Sequence, residues 1–325
     1  MTRFDLDDLD RATAIVRRHV APTPQYRWPL LDEVAGSAVV VKHENHTPVG
    51  AFKVRGGLVY LDRLVRERPE VRGIVSATRG NHGQSLAFAG RVHGRAVTIV
   101  VPRGNSVEKN AAMRALGAEV IEHGDDFQEA RERSLAVADE RGLEPVPPFH
   151  PDLVLGVATC ARELFDAAGP LDTVYVPVGM GSGINALITV RDLLGLDTEI
   201  VGVVSERAPS SKLSFEAGRV VTTESAATFV DGVATRSPDA DAVAGMVAGA
   251  ARIIAVSDDA TAEAMRIIFR TTHNVAESAG AIGLAGLLSE PAPRRGERSA
   301  FVLCGGNVDS DQFRDVLAGS TPTVA

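Results

Sequence analysis

Cysteine is almost missing from this 325-residue chain, with only Cys160 and Cys304 present, far apart and outside any CxxC. That spacing argues against a disulfide framework and against a cysteine-based zinc site, and no metal site is expected. Lysine is nearly as scarce. The 34 basic residues include only Lys42, Lys53, Lys109 and Lys212. An Arg/Ala bias explains the pattern, but any chemistry that needs an amine has few candidates. An excess of positive charge is missing too, since 42 acidic residues give a net charge of −8. No nucleic-acid partner is therefore expected. No apolar run approaches the roughly 20 residues needed to span a bilayer, and the first twenty residues lack the apolar core of a signal peptide. The expectation is a cytoplasmic protein with no membrane partner.

What remains is ordinary globular composition, 45% hydrophobic and 23% charged. At about 150 residues per domain, the length suggests roughly two domains. Short β-branched runs alternate with amphipathic stretches from about residue 38 onward. Strands are expected at Ala38–Lys42, Gly73–Ala77, Ala96–Val101, Thr173–Val178, Glu199–Val204, Ile253–Ser257 and Ser299–Cys304. Several are continuously apolar, as strands covered on both faces are. Helices are expected at Val54–Val65, Gln84–His93, Val107–Leu116, Phe127–Arg141 and Thr261–Phe269. The alternation predicts an α/β fold with largely parallel sheets. Pro145–Pro151 is the clearest punctuation, where a chain could pass between two lobes.

Four loops carry chemistry-bearing residues, each between a strand and a helix, where α/β enzymes place functional groups. In His43–Gly57, Lys53 falls near a helix N-terminus, whose dipole disfavours an ammonium charge and so favours a Schiff-base-forming amine. Phe52 and Gly56-Gly57 suggest a buried, closely approached backbone there. In Ser76–Gln84, Gly80 permits a tight turn, Asn81 offers a donor and an acceptor, and the helix-opening amides could take a carboxylate. In Val178–Asn185, Gly179, Met180, Gly181, Ser182 and Gly183 can aim several amides at a phosphate. This is a poor dinucleotide fingerprint, because the third expected glycine falls on Ile184. In Leu303–Asn307, Cys304 closes the last strand beside two glycines. Taken singly, each loop has a bland reading: a solvated lysine, a capping loop, a structural turn, a buried thiol.

In this order, the four resemble the threonine/serine dehydratase family of pyridoxal-phosphate enzymes, fold type II (tryptophan synthase β-like), over roughly residues 15–315. The family pattern runs Ser-Phe-Lys-x-Arg-Gly, Ser-x-Gly-Asn-His, a glycine-rich phosphate loop, then Ser/Cys-Gly-Gly-Asn. The resemblance implies two open, largely parallel twisted sheets with flanking helices. Residues 1–45 and 146–325 would form a large cofactor-binding domain, and 46–145 a smaller, mobile substrate-side domain. It implies that Lys53 is the Schiff-base lysine and catalytic base, and that Phe52 lies against the pyridine ring. Asn81 would bond the phenolic oxygen, Gly179 to Gly183 would surround the phosphate, and Cys304 would face the ring nitrogen. Thr78, Arg79, Gly80 and His82 would form the substrate loop. Glu277 and Asp231-Gly232 resemble the Glu-Pro-x-Gly-Ala and Ala-Asp-Gly segments.

The implied cofactor is pyridoxal 5'-phosphate, and the implied reaction is dehydration and deamination of threonine or serine to a 2-oxo acid and ammonia. Another β-hydroxy amino acid, such as 3-hydroxyaspartate or phenylserine, would use the same groups. A homo-oligomer, commonly a dimer, is implied. The chain departs from the pattern at Ala51, at Met180 and Ser182, and at Arg79, where serine is common. An always-charged guanidinium there makes racemisation a poorer expectation than elimination. A nucleotide-dependent oxidoreductase, or a non-catalytic metabolite-binding paralogue, would leave the Lys53 and Asn81 motifs unexplained.

Overall fold

The computed structural model describes residues 4–125 and 127–323. Its strands are β1 (Gln25–Arg27), β2 (Ala38–His43), β3 (Gly73–Ala77), β4 (Ala96–Val101), β5 (Glu119–Glu122), β6 (Glu144–Pro145), β7 (Thr173–Pro177), β8 (Glu199–Ser205), β9 (Arg252–Val256) and β10 (Arg298–Leu303). The apolar runs made the expected strands within a residue or so at each end, and β2, β3, β4, β8 and β10 are buried almost throughout. Continuous burial is what helices on both faces of a parallel sheet impose.

These strands form two open sheets. A six-stranded sheet has the order β1-β2-β10-β7-β8-β9, parallel except for β1. A four-stranded, fully parallel sheet has the order β5-β4-β3-β6. The smaller sheet is thus built from residues 73–145, and the chain returns to the larger one after the proline-rich stretch. There Pro151 opens the helix Pro151–Ala168, with His150 as its cap.

The helix Lys53–Glu67 packs between the helices Asn81–His93 and Pro151–Ala168. Glycines permit this closeness. A Cβ on Gly56 would lie 2.8 Å from the Leu153 carbonyl oxygen, and one on Gly57 would collide with Ser85 Oγ. Ser85 Oγ also donates to the Lys53 carbonyl at 2.6 Å. The first turn of this helix is thereby held from two sides, with the Lys53 carbonyl bonded to Ser85. Among the described residues no helix is long and apolar enough to cross a membrane.

Candidate active site

The site forms where β2, β10 and β7 end side by side. Leu303 pairs with His43 and Phe301 with Tyr175 in parallel register, so the following loops leave at one edge of the sheet. This carboxyl edge is where open α/β sheets bind ligands. After β2 the chain turns through Glu44–His46 and doubles back. Thr47 Oγ1 accepts from the Ala51 amide and donates to the Ala51 carbonyl, each at 2.9 Å, which fixes the turn. Ala51 then pairs with Gly305, the Phe52 amide donates to the Cys304 carbonyl at 2.9 Å, and the Gly306 amide donates to the Gly50 carbonyl at 2.9 Å. A Cβ on Ala51 is all that this seam accommodates, since Ala51 is fully buried. The stitching brings Lys53 to the end of β10.

Lys53 is the first residue of its helix, half-buried, with Nζ 4.9 Å from the centre of the Phe52 ring. Burial depresses its pKa, with Cys304 and Glu277 pulling the other way. Among the described residues no carboxylate lies within ion-pair distance of this ammonium. Cys304 is buried and its thiol is pushed up, first by burial and then by Glu277, so it stays neutral. Phe52, Cys304, Gly183, Val176 and Cys160 line one apolar pocket. His82 is buried and neutral, held down to about 3 by burial and by Lys53, and its Nε2 has no hydrogen-bond partner.

The glycine-rich turn opens the helix Ser182–Leu193 with Gly181 in the left-handed region, φ 94°. A Cβ on Gly179 would collide with the Gly232 carbonyl oxygen, and one on Gly183 would sit 3.8 Å from the Phe52 ring. Glycine is required at 179 and 181, whereas a Cβ at 183 would make only ordinary contact. On the other side, Thr78 Oγ1 accepts from the Gly80 amide at 3.0 Å, shaping the loop that starts the helix Asn81–His93. Asn81 Nδ2 donates to Glu277 Oε1 at 2.5 Å, while its Oδ1 accepts from Asn307 Nδ2 at 2.8 Å.

Of the residues singled out in the sequence, Phe52, Gly183 and Cys304 line the pocket, and Lys53 lies next to it, over the Phe52 ring. Asn81 reaches them through Glu277 and Asn307. Thr78 and Gly80 are buried beside it. Arg79 differs, with an exposed side chain and no hydrogen bond or ion pair among the described residues. Lys109 carried no role in the sequence reading, yet it enters this site. Its Nζ lies 3.4 Å from Asp231 Oδ2 and 3.5 Å from Glu277 Oε2.

A half-buried amine without a countercharge, an aromatic ring, a neutral thiol and a glycine-rich turn at a helix N-terminus fit a phosphorylated pyridine aldehyde. Residues 16–305 match the model of the pyridoxal-phosphate dependent enzyme family. The chain belongs to that family. Its cofactor is pyridoxal 5'-phosphate, which excludes the dinucleotide reading of Gly179–Gly183. The chain is 32% identical to the L-threonine ammonia-lyase of Thermotoga maritima, over 96% of this chain and 78% of that relative. It is 31% identical to an L-threo-3-hydroxyaspartate ammonia-lyase of Pseudomonas sp, over 91% and 93%. It superposes on the processed form of threonine deaminase isoform 2 from Solanum lycopersicum with a TM-score of 0.88 and 28% identity, covering 98% of this chain and 96% of that one. The protein is a pyridoxal-phosphate-dependent β-eliminating enzyme of the ammonia-lyase kind.

Proposed function

We propose that this enzyme dehydrates and deaminates a β-hydroxy amino acid, threonine or serine foremost, to a 2-oxo acid and ammonia, with Lys53 as covalent anchor and base. The observation that carries the reading is the Lys53 amine: half-buried, without a carboxylate partner, and acted on by a thiol that stays neutral. The bound cofactor supplies an electron sink for charge developing at Cα. The Lys53 amine, whose charged form burial disfavours, takes the Cα proton. Phe52 keeps water from that face. The amides of Gly179–Gly183 and the helix behind them hold the phosphate, and Asn81 fixes the ring's phenolic oxygen. Thr78, Gly80 and His82 receive the substrate carboxylate. Cys304, neutral, leaves the ring nitrogen unprotonated, so departure of the β-hydroxyl is favoured over long-lived charge at Cα. The C–H and C–O bonds break, water leaves, and the enamine hydrolyses to 2-oxo acid and ammonia. Residues 46–145 form the smaller unit that closes on substrate and brings Lys53 and Asn81 to the cofactor, while 1–45 and 146–325 form the large unit that supplies the phosphate turn and Cys304.

A second substrate reading rests on Arg79. A free guanidinium between Thr78 and Gly80 can pair bidentately with a further carboxylate, which favours an acidic substrate such as 3-hydroxyaspartate. A relative named for that activity aligns over nearly its whole length. The test is a panel of β-hydroxy amino acids given to the cofactor-loaded protein, with 2-oxo acid and ammonia measured. Release from threonine, serine or 3-hydroxyaspartate, with a visible absorbance band that borohydride removes, is expected. No 2-oxo acid from any of them, in a protein that shows the band, would overturn the proposal.

A further inference from the structure

Lys109 reaches the site from the helix Val107–Ala115, whose sequence neighbours build the smaller sheet, and both of its carboxylate partners come from the larger one. Its stem runs over Gly80 so closely that any Cβ there would collide with Lys109 Cδ. Asp231 opens the short turn whose Gly232 presses on Gly179, and Glu277 precedes the helix Ser278–Ser289. Glu277 uses its two oxygens for different partners: Oε2 faces Lys109 and Oε1 accepts from Asn81. Asn81 continues to Asn307, which donates to the Val49 carbonyl at 2.8 Å. A single polar chain therefore runs Asp231–Lys109–Glu277–Asn81–Asn307, from the phosphate turn to the strand end beside Cys304. The same turn of helix makes two more contacts across the cleft. Ser106 Oγ donates to Asp309, and Glu108 Oε1 accepts from the Ser310 amide at 2.9 Å.

We propose that Lys109 is a positioning residue for the elimination: it supplies the countercharge that keeps the Glu277 carboxylate bonded to Asn81, and so holds Asn81 toward the cofactor when the cleft is closed. The inference rests on the lyase reading above. The balance of charge carries it. One buried ammonium faces the buried Glu277 carboxylate and the exposed Asp231 carboxylate, with Asp309 also acting on it, and a buried carboxylate that loses its cation takes up a proton instead. Burial already pushes the Glu277 carboxyl up, with Lys109 and Asn81 opposing and Asp231 adding to the rise. Cys304 and Lys53 face the same carboxyl from the other side of the site. A protonated Glu277 gives Asn81 an ordinary hydrogen bond in place of a charge-assisted one, which is roughly twice as strong.

The two neighbours of Glu277 should then act with opposite sign. Removing the cation in Lys109→Met raises the pH at which Glu277 takes its proton. The acid limb of kcat/KM should move up by about one pH unit or more, and cofactor affinity at pH 7 should fall at least about tenfold. Removing the anion in Asp231→Asn should move the same limb down, and Lys109→Arg should restore most of the wild-type profile. Independently of activity, infrared difference spectra of the cofactor-free protein should show the buried carboxyl titrating higher in Lys109→Met, with the signal assigned by its loss in Glu277→Gln. Acid limbs and carboxyl titrations that coincide in wild type, Lys109→Met and Asp231→Asn overturn the inference. If Lys109→Met does not fold, an unmoved limb in Asp231→Asn does so alone. Failure of the lyase reading looks different: the wild type itself would release no 2-oxo acid.

Discussion

Glu44 and Glu277 are both buried glutamates, yet burial ends differently for each. Glu44 belongs to a closed cluster. Arg55 donates to it at 2.8 and 2.9 Å and to Glu163 at 2.8 and 2.9 Å, Thr23 Oγ1 donates to Glu44 at 2.6 Å, and Lys42 donates to Glu163 at 2.7 Å. Two cations meet two anions, and nearly every lone pair has a donor. Burial works to raise the Glu44 carboxyl, but Arg55 and Lys42 overcome it and hold the group below its ordinary range. Glu277 belongs to an open cluster, with one cation for two anions at 3.4 and 3.5 Å, and there burial prevails. A saturated, balanced cluster ties Arg55, two residues past Lys53, to β2 and the helix Pro151–Ala168. An unbalanced one can respond to a proton, a cofactor or a closing loop.

The largest expected effect leaves both clusters intact. Lys53→Ala removes the amine that has no countercharge, so turnover should fall by several orders of magnitude while the unfolding transition stays close to wild type. Substantial ammonia release by that variant, with no amine added, would place the base elsewhere. Breaking the closed cluster should do the reverse and strike stability. Arg55→Met leaves two buried carboxylates with Lys42 as their one cation and removes both donors to Glu44 from Arg55, and denaturant unfolding of the cofactor-free protein should show a loss of about 3–5 kcal/mol. Lys109→Met should cost clearly less, because Glu277 can neutralise itself by taking a proton. Equal losses would erase the distinction between the clusters.

Smaller effects sharpen it from the cofactor side. Cys304→Ser exchanges one neutral group for another and should keep activity within about tenfold, since neither can hold a proton on the ring nitrogen. Cys304→Asp should add side reactions such as transamination. A dead serine variant beside a clean, fully active aspartate variant would remove the role given to Cys304. Arg79→Ser, a change at an exposed and unpaired side chain, should alter stability by less than about 0.5 kcal/mol. It should change the ratio of kcat/KM values instead, raising serine and threonine relative to 3-hydroxyaspartate. Unchanged ratios would leave Arg79 outside substrate selection.

The central strands were legible because both-face burial writes continuous apolar runs, as in Val39–Val41 and Ile99–Val101. β1, β5 and β6 were not. Their sequences, Gln-Tyr-Arg, Glu-Val-Ile-Glu and Glu-Pro, are two to four residues long and partly polar, and they are strands only because a neighbour pairs with them. In the site, Lys53, Asn81, Gly179–Gly183 and Cys304 stood out because each lies in a loop leaving a recognisable strand. Arg79 stood out too, but its exposure could not be read from its position. Lys109 sits inside an unremarkable amphipathic helix, and its partners lie 122 and 168 residues further along the chain. Its one signal in the sequence was rarity, a lysine kept where arginine carries nearly all positive charge. The Glu44–Arg55–Glu163 cluster gave no such signal, because pairing across 108 residues is a property of the packed helices alone.

The scarcity of lysine also makes the central claim easy to test. Lys42 is bound into the closed cluster, Lys212 pairs with Glu216 on the surface, and Lys109 faces two carboxylates, which leaves Lys53 as the amine free to bond the cofactor. Reducing the cofactor-loaded protein with borohydride, digesting it and mapping the peptides by mass spectrometry reads that choice directly. The account predicts the pyridoxyl label on Lys53 in near-stoichiometric amount and on no other lysine. A label on Lys109, or no lysine labelled in a protein that had carried the visible band, would contradict it.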